Sequence, residues 1–275
     1  MIPNSVTTIG GEAFAYSVIE TVTIGSGVTE MGTYAFAFNP INTLYLTEGM
    51  TEIGSAAFAY ANLNELIIPN SVTRIGYSAF EGASIEVLTI GSGVTEMGHY
   101  AFINNPLVTL NLTEGMTHIG SAAFAFSMLN EVVIPNSVTT IGFSAFEMSS
   151  IYTLTVGSGV TEMGSSAFMN NPISTLNLME GMTDIGDYAF AYSDLGEVVI
   201  PNSVTRIGNN AFESSNLETI TVGSGVTEMG IYVFTGNMLS TVTLVDGLTM
   251  IGDYSFSNTG VTNLVIPNSV TSIGA

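Results

Sequence analysis

Lysine, cysteine and tryptophan are all missing from these 275 residues, and Arg74 and Arg206 are the only arginines. Without cysteine there is no disulfide, no thiolate zinc site and no cysteine nucleophile. Two basic residues against 23 acidic ones give a formal charge of −21. Nucleic-acid binding needs cations that displace counterions from phosphates, so this balance argues against it. Docking on anionic membranes fails for the same reason. No apolar run approaches the ~20 residues of a membrane span. Met1 leads directly into repeat sequence, and no signal peptide is expected in this chain. Charged residues make up 9% of the chain, against roughly 25% in ordinary globular proteins. The surface must be dressed with Thr, Ser, Asn and Gly.

Signatures of chemistry are missing as well. There is no G-x-S-x-G, P-loop or H-E-x-x-H. The G-S-G turns carry no basic residue, which argues against a phosphate role. His99 and His118 stand out of phase with each other and do not pair as metal ligands. No catalytic, cofactor-binding or metal residue is assigned, and no enzyme activity or cofactor is expected.

What is present is a period. Phenylalanine recurs every 22 residues at positions 14, 36, 58, 80, 102, 124, 146, 168, 190, 212, 234 and 256, with a glycine in step from Gly10 to Gly274. Fixed periods of this length mark solenoids, in which each unit buries its apolar side against its neighbours. The unbroken phase reads as one domain over residues 1–275 with both ends mid-repeat and uncapped, an excised or designed segment.

One unit, IGSAAFAYANLNELIIPNSVTRI from Ile53 to Ile75, shows the local logic. Leu66 and Ile68 alternate with Glu65 and Ile67, a short strand of period two. Strands repeated once per unit would stack as a parallel sheet about 4.8 Å per rung. Pro69-Asn70-Ser71, Gly25-Ser26-Gly27 and Thr47-Glu48-Gly49 are turns. Gly76 permits a positive φ or a close backbone approach. Ala79 and Phe80 are expected on a short helical or 3₁₀ turn. The inward columns are those of Val6, Ile9, Ala13, Phe14, Ile19, Val22 and Ile24. A second period, three units long, overlies the first: IPNSV begins at Ile2, Ile68, Ile134, Ile200 and Ile266, and GSGV at Gly25, Gly91, Gly157 and Gly223.

The string IPNSVTRIGYSAFEGASIEVLTIG resembles the BspA-type leucine-rich repeat, and the match recurs along nearly the whole chain. Asn39, Ala61 and Ser127 stand where that family often has cysteine. The resemblance implies a right-handed leucine-rich-repeat solenoid of about twelve rungs, with a parallel sheet on one face and turns on the other. It also implies a non-catalytic protein of the cell surface or exterior that binds protein or glycan, or serves in adhesion.

Several surfaces compete as the contact site. The outward strand positions are the first: Thr21, Thr23, Thr43, Tyr45, Glu65, Ile67, Thr109, Asn111, Glu131, Val133, Thr153, Thr155, Glu197, Val199, Thr219 and Thr221. Ile67, Val133, Val199 and Val265 set an exposed apolar mark on every third rung. The plainer reading is a solvated face of good strand formers. The second surface is the threonine column from Thr7 to Thr271, a regular array that suits ice binding but also stacks well on itself. The third column runs Thr8, Glu30, Glu52, Arg74, Glu96, His118 and on through Glu162, Asp184, Arg206 and Glu228. It places each arginine between carboxylates, and Glu30/Glu52 and Glu162/Asp184 are loose candidates for a divalent cation. Tyr34, Tyr100, Tyr188, Tyr232 and Tyr254, with Tyr16, Tyr60 and Tyr192 nearby, suggest an aromatic ridge or rings that shield the gaps between rungs. Glu81, Glu147 and Glu213, and likewise Glu48, Glu114 and Glu180, follow the three-unit period as duplication alone requires. Asn111-Leu112-Thr113 is a lone glycosylation sequon. The favoured role is a binding or adhesion solenoid, with end-to-end stacking into filaments as the alternative and ice binding third.

Overall fold

The computed structural model describes residues 1–275, which form two units, Met1–Asn130 and Glu131–Ala275, each wound from the same coil. The chain is a parallel β-solenoid of about twelve turns. Every coil carries a two-residue strand. In the first unit these run from Thr8–Ile9 to His118–Ile119, each pairing in parallel with its counterpart one coil on. In the second unit the series runs from Thr140–Ile141 to Ser272–Ile273. One residue faces solvent and the next is buried, as in Arg74–Ile75.

Inside each coil the phenylalanines stack on one another. Ring centroids are 4.9 Å apart for Phe14–Phe36 and 5.2 Å for Phe80–Phe102, the latter nearly coplanar in orientation at 1°. The second unit repeats this, with Phe146–Phe168 at 5.2 Å and Phe190–Phe212 at 5.4 Å. An offset parallel stack places ring edge over ring face, the favoured arrangement for these quadrupoles. Ala79 and its equivalents precede each ring, and the small side chain leaves the phenylalanine room to reach the axis.

The segment around Ala79 and Phe80 is not helical, contrary to expectation. It is a run of turns, and its donors explain why. The N–H groups of Ala79, Glu81 and Ala83 donate to the carbonyls of Gly76, Ser78 and Phe80, three residues back, at 3.3, 3.0 and 3.3 Å. The intervening N–H groups of Ser78, Phe80 and Gly82 donate to His99, Ala101 and Ile103 of the next coil, at 3.0, 2.8 and 2.9 Å. A helix would direct all its donors inward along its own axis. Here every second donor ties coil to coil. The alternation requires left-handed residues, at Ser78 (φ 50°), Gly82 (φ 57°) and Ser84 (φ 59°). Gly76 fulfils the close-approach role instead: a Cβ there would lie 2.6 Å from the Ser55 nitrogen.

A buried asparagine reinforces every third coil. Asn105 accepts the Ile85 N–H on Oδ1 at 2.9 Å and donates from Nδ2 to the Phe80 and Phe102 carbonyls at 2.8 and 2.9 Å. Asn39 and Asn237 do the same in their coils, Asn39 through Ile19, Phe14 and Phe36. In the coils between, alanine (Ala61, Ala83) or serine fills the position with fewer bonds, as in Ser215 Oγ to the Phe190 carbonyl at 2.7 Å.

The longer strands form an interrupted sheet rather than a continuous one. In the first unit Thr21–Thr23 pairs with Thr43–Tyr45, and Glu65–Ile67 pairs with Val87–Thr89 and that with Thr109–Asn111. In the second, Glu131–Ile134, Thr153–Val156 and Thr175–Leu178 form one set, and Gly196–Val199, Leu217–Thr221 and Thr241–Thr243 another. No ladder joins Thr43–Tyr45 to Glu65–Ile67, or Thr175–Leu178 to Gly196–Val199. At these interruptions the Asn62 and Asp194 N–H groups donate to Ile41 and Ile173 of the coil before. Beside them Leu44, Leu46, Leu176 and Leu178, expected inside, are only half-buried, while Leu66, Ile68, Leu154 and Val156 are fully covered.

Candidate binding face and its cleft

All sixteen outward strand positions named from the sequence, from Thr21 and Thr23 to Thr219 and Thr221, are exposed or half-exposed. They do not form one platform, because the interruptions divide them into sets. At the interruption in the first unit a cleft of about 610 Å³ opens. Thr43, Leu44, Tyr45 and Leu46 of one coil line it with Glu65, Ile67 and Pro69 of the next. Tyr45 and Ile67 are each 60% exposed. Two large apolar groups thus stand open beside half-covered leucines. Tyr45 departs from the three-unit period, since Asn111, Asn177 and Thr243 hold the equivalent places.

Glu48 borders the same cleft and has a structural task that repeat counting does not reveal. Its carboxylate accepts the Asn70 N–H at 3.1 Å and the Ser71 N–H at 2.8 Å, gripping the turn of the next coil. Glu180 grips Asn202 and Ser203 at 3.0 and 2.9 Å. The Ser71 N–H above all, with that of Asn70, holds the Glu48 carboxyl below its ordinary value against some desolvation. For Glu180 the Asn202 and then the Ser203 N–H do so. The signal available in sequence was an acid at the second turn position opposite a Pro-Asn-Ser turn one period later.

The other candidate columns are knit into the fold. Along the threonine column each hydroxyl turns back to the carbonyl of the threonine before it, as in Thr51 to Thr29 at 3.2 Å and Thr205 to Thr183 at 3.0 Å. These donors are therefore spent internally, which removes half of what an ice-facing hydroxyl array offers. Arg74 stands between Glu52 (3.4 Å) and Glu96 (3.9 Å), as expected. Arg206 instead makes a bidentate pair with Asp184, 2.9 and 3.0 Å, and turns its third contact to Asp187 at 3.8 Å rather than to Glu228. His99 Nδ1 accepts the Ser121 N–H at 2.9 Å, and His118 Nδ1 lies 2.8 Å from the Thr117 hydroxyl, so the two imidazoles serve separate local bonds. The tyrosines form short stacks rather than one ridge: Tyr16–Phe38–Tyr60 in the first unit, with centroids 4.6 and 5.1 Å apart, and Tyr232–Tyr254 at 5.0 Å in the second.

A coil that buries a phenylalanine stack, presents short parallel strands outward and repeats without insertion defines a leucine-rich-repeat solenoid. The family model described as "BspA type Leucine rich repeat region" matches six copies, over residues 1–105, 51–174 and 161–275, and the chain belongs to that family. No curated protein matches it in sequence. Among solved structures, it is similar to a leucine-rich repeat protein from Bacteroides ovatus, with 20% identity, 83% of this chain and 79% of that one covered, and a TM-score of 0.49. The pneumococcal vaccine antigen PcpA is similar at 18% identity, covering 98% of this chain and 79% of its own, with a TM-score of 0.47. A leucine-rich cell surface protein from Faecalibacterium prausnitzii shares 21% identity over 95% of this chain and 87% of that one, with a TM-score of 0.43. No helix is long and apolar enough to cross a membrane.

Proposed function

We propose that this protein is a non-catalytic binding solenoid of the cell surface or exterior, and that its long-strand face takes an extended protein segment. The observation that carries this reading is the cleft between Thr43–Tyr45 and Glu65–Ile67. It combines exposed Tyr45 and Ile67 with half-covered Leu44 and Leu46, while hydrogen-bonding strand edges stand unpaired on both sides. An extended segment laid there gains main-chain bonds from the open edges and apolar contact from the side chains, which is how exposed edges recognise peptides. The central aromatic and aliphatic pair suits the role of anchors. The family's surface setting and the strong negative charge agree with a partner that is itself not acidic.

The experiment is a binding array of extracellular-matrix proteins and glycans, with and without Ca²⁺, read for the native protein and for Tyr45→Ala and Ile67→Glu. A protein hit lost in both variants supports the reading. Hits indifferent to both variants, or hits confined to glycans, overturn it.

A further inference from the structure

The turn face of the first unit carries a second departure from periodicity, and there five aromatic rings converge: Tyr34, Phe38, Tyr60, Tyr77 and Tyr100. They surround a cleft of about 460 Å³. Its floor is a consequence of small residues. Tyr34, Ala56, Ser78 and Tyr100 occupy one column on successive coils, so the two tyrosines rise as walls with two small side chains between them in that column. At the strand spacing of ~4.8 Å per coil the walls stand roughly 14 Å apart. Ala59, packed with buried Ala37 and Ala56, keeps the floor low.

The walls are ordered by contact. Phe38 and Tyr60 stack at 5.1 Å and 14°, and Tyr77 meets Tyr100 edge-on at 5.2 Å and 63°. Tyr60 and Tyr77 are each 51% exposed; Phe38 and Gly82 flank the Tyr60 ring, so Tyr60 offers its edge and Tyr77 the more open ring. Gly82 sets the tilt of Tyr60. A Cβ at 82 would lie 3.0 Å from Tyr60 Cδ1, so its absence lets the ring lean toward the next coil, where the hydroxyl donates to Glu81 Oε1 at 2.8 Å. The lining thus holds one carboxylate, several ring faces and no basic group.

Duplication does not account for this set. One superperiod on, the five aromatic positions read Tyr100, Asn104, Phe126, Phe143 and Ser166, and two superperiods on they read Ser166, Asn170, Tyr192, Asn209 and Tyr232. The full complement of rings occurs in the first copy.

Ring faces carry negative quadrupole potential. A cation within about 6 Å of a ring centroid is attracted, more so where it sheds water. Glu81 adds a full charge, and the chain's −21 draws cationic partners from a distance while supplying almost no cations of its own. We propose that this cleft receives the guanidinium or ammonium head of an arginine or lysine side chain presented by a partner protein. The surface is distinct from the strand-face cleft, so this inference stands or falls without Tyr45 and Ile67.

The test uses the full chain, with Nα-acetyl-arginine amide and Nα-acetyl-lysine amide as probes. Nα-acetyl-citrulline amide and methyl β-glucoside serve as neutral controls, and tyrosine ring resonances are followed by NMR. The cationic probes are expected to shift Tyr60, Tyr77 and Tyr100. Affinity is expected to fall about five- to thirty-fold in Tyr77→Ala and in Glu81→Gln. It is expected to be unchanged in Phe143→Ala, the equivalent of Tyr77 one superperiod on. Tyr77 is exposed, and retained circular dichroism checks that its variant folds. Three results overturn the proposal: citrulline binding as well as arginine, glucoside binding in place of the cations, or binding that vanishes with salt and is the same in Tyr77→Ala. The last would be nonspecific attraction to an acidic protein.

Discussion

Replacing Asn105 with leucine tests how neighbouring coils are held together. The side chain is fully buried and its amide serves three main-chain groups: the Ile85 N–H and the Phe80 and Phe102 carbonyls. Leucine keeps the branched outline and leaves no cavity, but its methyls are bulkier, so overpacking adds to the polar loss. Each buried main-chain group left without a partner costs about 1–3 kcal/mol. Three such groups give roughly 3–6 kcal/mol once some relaxation toward water is allowed. Asn105→Ser is the graded companion. Serine fills this position in the next coil, where Ser127 Oγ keeps one donor to the Phe124 carbonyl, so about half the loss is expected, roughly 1.5–3 kcal/mol. Urea unfolding gives the global cost. Amide exchange at Ile85 gives the local one, because a solenoid need not unfold as a single two-state unit. An Asn105→Leu protein within about 1 kcal/mol of the original, with Ile85 still protected, would refute the claim that this amide is a structural clamp.

Three other perturbations follow from named contacts. Phe80→Ala removes one ring from a continuous stack in a fully buried position; denaturant midpoints should show a loss of about 3–5 kcal/mol. Gly93→Ala would drive a Cβ into the Asn70 carbonyl oxygen of the coil before, and overpacking of this kind should lower stability by about 1–3 kcal/mol, visible as a fall in Tm. The Glu48 and Glu180 carboxyls sit below their ordinary value of 4.5 in the folded protein, so their stabilisation is complete above that pH and lost as pH falls through the depressed folded value. Tm measured from pH 6 down to 3 should therefore fall less steeply in Glu48→Gln/Glu180→Gln than in the original protein; identical slopes would show that the turn clamps contribute nothing.

The repeating core was legible because a solenoid writes its inside as a column. Ile75, Ala79 and Phe80 lie where the period placed them, and so do their counterparts through the inner coils. What the period could not show is how donors are shared. The helical expectation at Ala79–Phe80 failed because apolar spacing does not say whether an N–H points along its own turn or toward the next coil. The left-handed Ser78 that decides this carries no sequence signature as clear as a glycine would. The interrupted strand face was equally hidden. The residues that lead into its breaks, Asn62 and Asp194, are ordinary loop formers. The position of Asn39 was visible as a substitution for the family's cysteine, but the three-bond role it shares with Asn105 required the burial and direction of the amide.

A repeat of this regularity supplies its own control for function. A feature that recurs in every coil, such as the threonine ladder, is explained by the coil, since each hydroxyl serves the coil before it. A feature that follows the longer period, such as Glu48 and Glu180, is explained by the turn type it clamps. What remains are places where neighbouring coils depart together from both periods without gain to packing. Tyr45 beside the strand-face cleft is one such departure, and the Tyr34–Tyr100 cluster on the turn face is another. Both put aromatic rings, which a coil core does not require, at half exposure in water. Keeping such rings out of the core forgoes the ~1.5–3 kcal/mol that burial of a large apolar side chain would bring. A partner that covers them recovers that energy on binding. On the proposals above, variation in either cleft is expected to change affinity without changing the fold, whereas substitutions along the threonine and phenylalanine columns should do the reverse.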